Sequence, residues 1–209
     1  MGNEVLRDIV VVDIDGTLHE YMHTVALVAL SEFGIRIDTE PREWRFGLHP
    51  ITDYVIGTEI FQRCHDREYI FLTNPYPGAA DALKEIEGLG YSIIYLTDRK
   101  ASSYQDTLDW LVLHGFPNPE GLKCCTDKRD VMLEYKNRIA TIVDDRVRAQ
   151  QFAQLALNCK HVFSIKQSTN INNTDALGYH ILDTWAEIVE EFKKCDGDWE
   201  LNWYDQYCD

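Results

Sequence analysis

Acidic residues in the 209-residue chain recur at the ends of apolar runs, where carboxylates would be hard to keep ionised without help. Asp13 and Asp15 follow Val10-Val11-Val12 and precede Gly16 and Thr17. Thr97-Asp98-Arg99 follows Ile93-Ile94-Tyr95-Leu96, and Asp144-Asp145 follows Ile142-Val143. Were the first strand simply continued, Asp13 and Asp15 would share a face and repel. A hard divalent cation with oxygen ligands is the natural compensation. Gly16 frees the chain to turn away. Asp-x-Asp-Gly also opens calcium loops, but the twelfth position, where such a loop needs glutamate, is Thr24. A buried strand before it argues against that option too.

Elements at these positions must bring the clusters together. The runs Val5–Val12, Tyr91–Leu96, Leu122–Cys125, Ile139–Val143 and His161–Ile165 read as strands, with His161–Ile165 closing the series. Helical spacing is expected over Tyr21–Phe33, Ala79–Leu89, Ser103–His114, Asp127–Asn137, Arg146–Leu157 and Thr184–Lys194. Strands alternating with helices predict an α/β fold with a parallel sheet and right-handed crossovers. Ligands of such sheets bind outside the carboxyl ends of the strands, so the acidic clusters should meet in one crevice. Ile35 to Asn74 breaks the alternation and reads as a small helical insertion, punctuated by Asn74-Pro75-Tyr76-Pro77-Gly78.

Taken in order, these motifs resemble the haloacid dehalogenase superfamily of phosphatases. The resemblance spans roughly residues 9 to 192. It implies a Rossmann-like parallel sheet flanked by helices (residues 1–18 and 75–195), a helical cap (19–74) inserted after the first strand, and an acidic aromatic tail (196–209). It implies Asp13 as the nucleophile that forms an aspartyl-phosphate, and Asp15 as general acid and then base. Gly16, Thr17, Thr97, Asp98 and Arg99 would bind the phosphoryl group, Thr97 through its hydroxyl and Arg99 in bidentate fashion. Lys128, with Lys123 as its rival, would neutralise nucleophile and phosphate. Mg²⁺ would be held by Asp13, Asp15 and the Asp144-Asp145 pair, with Asp145 as direct ligand and Asp144 behind it.

Two branches share further features. Tyr76-Pro77-Gly78-Ala79, the short cap and Asp183-Thr184-Trp185-Ala186-Glu187-Ile188 resemble the 5′(3′)-deoxyribonucleotidase branch, from which Thr17 and Arg99 depart. Leu96-Thr97-Asp98-Arg99, Lys128 and Asp144-Asp145-Arg146 resemble the phosphatase domain of phage polynucleotide kinase-phosphatases, which acts on 3′-phosphate ends. No kinase phosphate loop is present. The expected activity is thus phosphomonoester hydrolysis on a nucleotide. The alternatives are a 3′-phosphatase on polynucleotide ends and a non-catalytic phosphate-binding protein. Trp44, Phe46 and Tyr54 are candidates to stack a base, although cap core is the better reading of each. His19, His23, His49 and His65 read as satisfied histidines before they read as ligands.

The bulk numbers agree. Net charge is −15, which disfavours a sequence-independent hold on nucleic acid. The six cysteines form no C-x-x-C, and no His pair has zinc spacing. No signal pattern and no membrane-length apolar run stand out. Free thiols in a cytoplasmic protein are the expectation.

Overall fold

The computed structural model describes residues 7–40, 54–167, 170 and 178–199. Its centre is β1 (Ile9–Val12), four β-branched residues buried on both sides. β1 pairs in parallel with β2 (Ser92–Thr97) on one side and β4 (Ile139–Val143) on the other. β3 (Leu122–Cys124) adds beyond β2. β5 (Val162–Ile165) and β6 (Tyr179–Leu182) add beyond β4, giving a six-stranded parallel sheet in the order β3-β2-β1-β4-β5-β6.

Side chains alternate across a strand, so β1 serves both faces of the sheet. Val10 and Val12 join a core with α4 (Ala79–Gly88), α5 (Tyr104–Leu113) and α8 (Trp185–Cys195). Ile9 and Val11 join a core with α6 (Lys128–Glu134) and α7 (Val147–Leu157). The strand order reverses direction between β1 and β4, and a crevice opens at such a switch point.

β6 corrects the expectation that His161–Ile165 ends the strand series. It is four half-buried residues, too short and too mixed for a clear period of two. Gly178 makes its approach feasible: its φ is +80°, and a Cβ there would lie 1.9 Å from the Lys160 carbonyl oxygen. Its own carbonyl accepts from the Val162 amide at 2.9 Å. The expected helix over Asp127–Asn137 is also shorter, ending at Glu134.

The described part of the insertion is helical. α1 (Tyr21–Phe33), α2 (Tyr54–Arg63) and α3 (Arg67–Leu72) enclose their own apolar cluster, including Val25, Val28, Ala29, Ile60 and Tyr69. Polar contacts fasten it to α5 and the residues before it. Arg67 bonds Asp106 and Asp109 at 2.6 and 3.0 Å, and the Ser103 hydroxyl donates to the His65 carbonyl at 2.9 Å. Trp44, Phe46 and His49 lie outside the described residues. The start of the tail packs on the body, with Trp199 buried against Tyr91 and Phe192. No helix among the described residues is long and apolar enough to cross a membrane.

Candidate active site

The loop after β1 sets the positions of the two aspartates. The Asp13 amide donates to the Val143 carbonyl at 2.9 Å, keeping Asp13 in line with the end of β4. The chain then turns, and the Ile14 carbonyl accepts from the amides of Thr17, Leu18 and His19. Gly16 has φ +86°, and a Cβ there would sit 2.5 Å from Asp145 Oδ2. Only glycine lets this turn lie against that carboxylate. Because the strand does not continue, Asp13 and Asp15 do not share one environment.

Asp13 is 4% exposed and its Oδ1 lies 2.6 Å from Lys128 Nζ. Lys128, the first residue of α6, also reaches Asp144 Oδ2 at 2.9 Å. Lys123 is exposed on β3, so Lys128 is the lysine that the fold brings to Asp13. Burial would lower the Lys128 pKa, but the charges of Asp13 and Asp144 hold it well above its usual value.

Asp145 completes the acidic group. One carboxylate oxygen from each of Asp13, Asp144 and Asp145 lies within 4.8 Å of the others. Asp144 is well supplied: besides Lys128, its Oδ1 accepts from the Arg146 amide at 2.8 Å and its carbonyl from Gln150 Nε2 at 2.6 Å. Asp145 is 2% exposed and neither of its carboxylate oxygens has a hydrogen-bond partner. Burial, then the charges of Asp13 and Asp144, push its pKa well above the carboxylate range. Burial likewise raises Asp13, against the pull of Lys128, to about 7. The trio offers three negative charges to one contacting ammonium, a deficit that a hard divalent ion would fill.

Asp15 has a different cation. Arg99, 1% exposed, grips it through Nε at 2.9 Å and Nη2 at 2.5 Å, and its Nη1 donates to Thr107 Oγ1 at 3.1 Å. His19 Nδ1 and His65 Nε2 each stand 3.4 Å from an Asp15 oxygen. Burial alone would raise the Asp15 pKa. The Arg99 charge and the two imidazoles override it and hold Asp15 well below the carboxylate range. Burial lowers the His19 pKa from its usual value, against the pull of Asp15.

Thr97 is fully buried, and its hydroxyl accepts from the Arg99 amide at 3.2 Å. Asp98 pairs with Arg146 Nη1 at 2.5 Å. The buried Thr17 hydroxyl has no partner, while its carbonyl accepts from Trp185 Nε1 at 3.3 Å. Tyr54 is 87% exposed on α2, and His23 pairs with Glu20 at the surface.

Asp13, Asp15, Thr97, Asp98 and Arg99 line a small cavity of 40 Å³ together with Tyr21, His65 and Arg146. That is room for a few waters rather than a phosphate ester. Beyond it, sharing Asp98 and Arg146, a groove of 530 Å³ runs between α6 and α7, with Lys128, Arg129 and Arg148 on its walls.

Three residues here were not singled out for roles in the sequence. Tyr21 stacks on His65, with ring centroids 5.6 Å apart, and nothing in its local pattern marks it. Arg146 directly follows the acidic pair. Gln167, whose side-chain amide bonds the Gly16 carbonyl, lies two residues beyond β5. The rule that points to strand ends would have reached it.

Comparison with known proteins gives a consistent picture. A family profile described as "PITM 1-3, LNS2 domain" matches residues 67–166. A Bacillus cereus protein named "Putative nucleotidase" is 33% identical over 143 residues, covering 66% of this chain and 71% of that protein. A haloacid dehalogenase family hydrolase from Deinococcus radiodurans, solved with phosphate and sodium bound, superposes with a TM-score of 0.62 at 14% identity over 93% of this chain and 97% of its own. A haloacid dehalogenase-like protein from Streptococcus pneumoniae does so with 0.60 at 16%, over 90% and 99%. With the sheet order and the acidic strand ends, these similarities establish that the chain belongs to the haloacid dehalogenase superfamily of phosphatases.

Proposed function

We propose that the protein is a Mg²⁺-dependent phosphomonoesterase that acts on a nucleotide through an aspartyl-phosphate on Asp13. The observation that carries this reading is the pairing of Asp13 with Lys128 beside the partnerless carboxylate of Asp145. An all-oxygen set of Asp13, Asp144 and Asp145 fits Mg²⁺, with Asp145 as direct ligand and the Asp15 segment adjoining. When bound, the ion would offset phosphate charge and favour in-line geometry.

An Asp13 carboxylate oxygen attacks phosphorus and the bond to the ester oxygen breaks. Asp15 gives that oxygen its proton, then takes one from the water that hydrolyses the aspartyl-phosphate. Inorganic phosphate leaves and Asp13 is regenerated. Lys128 stays beside Asp13 throughout and offsets charge on the transferred group. Asp15 begins ionised against Arg99. An entering phosphate draws Arg99 towards itself and raises the Asp15 pKa, so that Asp15 takes up a proton from solvent and becomes the acid for the first half. Thr97, Asp98, Gly16 and Thr17 surround the phosphoryl group. Residues 19–74 serve as a cap that must open, since 40 Å³ is too small for substrate.

The name of the Bacillus relative supports a nucleotide. A second reading, a 3′-phosphatase on polynucleotide ends, is favoured by the groove, whose Arg129, Arg146 and Arg148 could meet further phosphates. Hydrolysis of p-nitrophenyl phosphate tests the common core. Turnover is expected with Mg²⁺, stopped by chelator and lost in Asp13→Asn. An inactive wild type across a panel of phosphate esters sinks the proposal. A panel of 5′-mononucleotides against a 3′-phosphorylated oligonucleotide divides the two substrate readings.

A further inference from the structure

A second cluster of ligating atoms lies at the other end of the sheet. His161 immediately precedes β5, His180 lies in β6, and Cys195 ends α8. α8 starts beside the loop of Thr17 and runs back about 15 Å, so Cys195 reaches the amino ends of the strands. One ligating atom from each of His161, His180 and Cys195 lies within 4.8 Å of the other two. In sequence they are too far apart for any zinc spacing pattern to show them.

The imidazoles face each other through their inner nitrogens. His161 Nδ1 and His180 Nε2 are 2.8 Å apart. The outer nitrogens face carboxylates: His161 Nε2 lies 3.9 Å from Asp198 Oδ2, and His180 Nδ1 lies 3.5 Å from Glu191 Oε1. Each carboxylate is held by a lysine, Asp198 by Lys160 at 2.6 Å and Glu191 by Lys194 at 2.8 Å. A carboxylate behind the outer nitrogen fixes the tautomer of a metal-bound histidine, leaving the inner lone pair for the metal. Here each outer nitrogen faces a carboxylate, at 3.9 and 3.5 Å, close enough for a small movement to join them. A single proton between the inner nitrogens makes this contact a hydrogen bond, and a cation that replaces the proton would take both inner lone pairs. His161 Nε2 is also buried without a hydrogen bond of its own.

We infer that His161 Nδ1, His180 Nε2 and Cys195 Sγ form a second metal site, suited to Zn²⁺ and distinct from the catalytic carboxylates. Two imidazoles and a thiolate match the nitrogen and sulfur preference of zinc, with the fourth position open to water. Tetrahedral ligation would spread the two nitrogens only to about 3.3 Å, a small movement. Burial lowers both histidine pKa values, so their lone pairs are available near neutrality. Burial raises Cys195 to about 11, so binding displaces its thiol proton, and that proton goes to solvent as the S–Zn bond forms. The ion would staple the edge strands β5 and β6 to the end of α8.

Titration of the chelator-treated full chain with Co²⁺ tests the site. A thiolate-to-cobalt charge-transfer band is expected to saturate at one equivalent and to vanish when Zn²⁺ displaces the cobalt. Cys195→Ser should lose the band while keeping its phosphatase turnover, which shows that it is folded. His180→Gln should weaken Zn²⁺ binding at least tenfold, and Asp145→Asn should leave it unchanged. No band in the wild type overturns the inference. So does a band that survives in Cys195→Ser, since one of the other five cysteines would then be the thiolate.

Discussion

Two residues apart in sequence, Asp13 and Asp15 answer to different cations. Lys128 holds the first and Arg99 the second. The need for compensation was legible in the spacing of the carboxylates, and so was Lys128, because both follow from strand and helix ends. The partner of Asp15 was not. A buried bidentate Arg–carboxylate pair depends on α5 closing over Arg99 through Thr107, which no local pattern carries. Removing Arg99 would leave Asp15 buried and uncompensated. Arg99→Gln is expected to cost about 3–5 kcal/mol of stability at neutral pH. The Asp15 pKa is depressed in the folded protein, so its stabilising share is present above the ordinary value of 3.8 and is lost as pH falls through the folded value. The gap between variant and wild type should therefore narrow on acidification, as read by urea unfolding across pH. A gap that stays constant would contradict the pairing. For Asp13 the sign is opposite. Its pKa is raised to about 7 without metal, and it must be ionised to bind one. Mg²⁺ affinity should rise as pH climbs from 3.8 towards about 7, with proton release measurable by calorimetry. Affinity independent of pH in that window would contradict the assigned ligand.

Elements deliver these side chains, and their legibility followed their length. β1, β2 and β4 are continuous apolar runs buried on both faces, and the sequence marks them clearly. β6 escaped because four half-buried residues beside Gly178 give no period. The last helix was visible, and its cap shows why it starts where it does. The Thr184 hydroxyl accepts from the Glu187 amide at 3.2 Å, and the Glu187 carboxylate accepts from the Thr184 amide at 3.3 Å. This reciprocal box fixes Trp185 so that it can donate to the Thr17 carbonyl. Thr184→Ala should lower stability by about 1 kcal/mol, seen as a shifted urea midpoint, with turnover nearly intact. An unchanged midpoint would show that tertiary packing alone sets the helix start.

At the scale of the whole molecule, a net charge of −15 hides a basic groove. Average charge argued against polyanions, but folding gathers Arg129 of α6, Arg146 just before α7 and Arg148 of α7 around one groove beside the cavity. Composition cannot show that. Arg148 lines the groove and has no role in the catalytic centre. If substrates extend along the groove, Arg148→Ala should raise KM for a 3′-phosphorylated oligonucleotide roughly fivefold, the loss of about 1 kcal/mol from one exposed charge. Turnover of p-nitrophenyl phosphate should not change. Equal KM for wild type and variant on the oligonucleotide would confine the substrate to the small cavity. Substrate choice was the least legible feature, since the family resemblance assigns it to the insertion at 35–74, and residues 41–53 lie outside the described part.

The central claim is the covalent step at Asp13. Acid quenching during turnover, followed by mass spectrometry of the peptides, addresses it directly. A phosphoryl group is expected on the peptide that contains Asp13, sensitive to hydroxylamine and absent from Asp13→Asn. Phosphate release that persists in Asp13→Asn, or a phosphoryl group on a peptide without Asp13, would contradict the account.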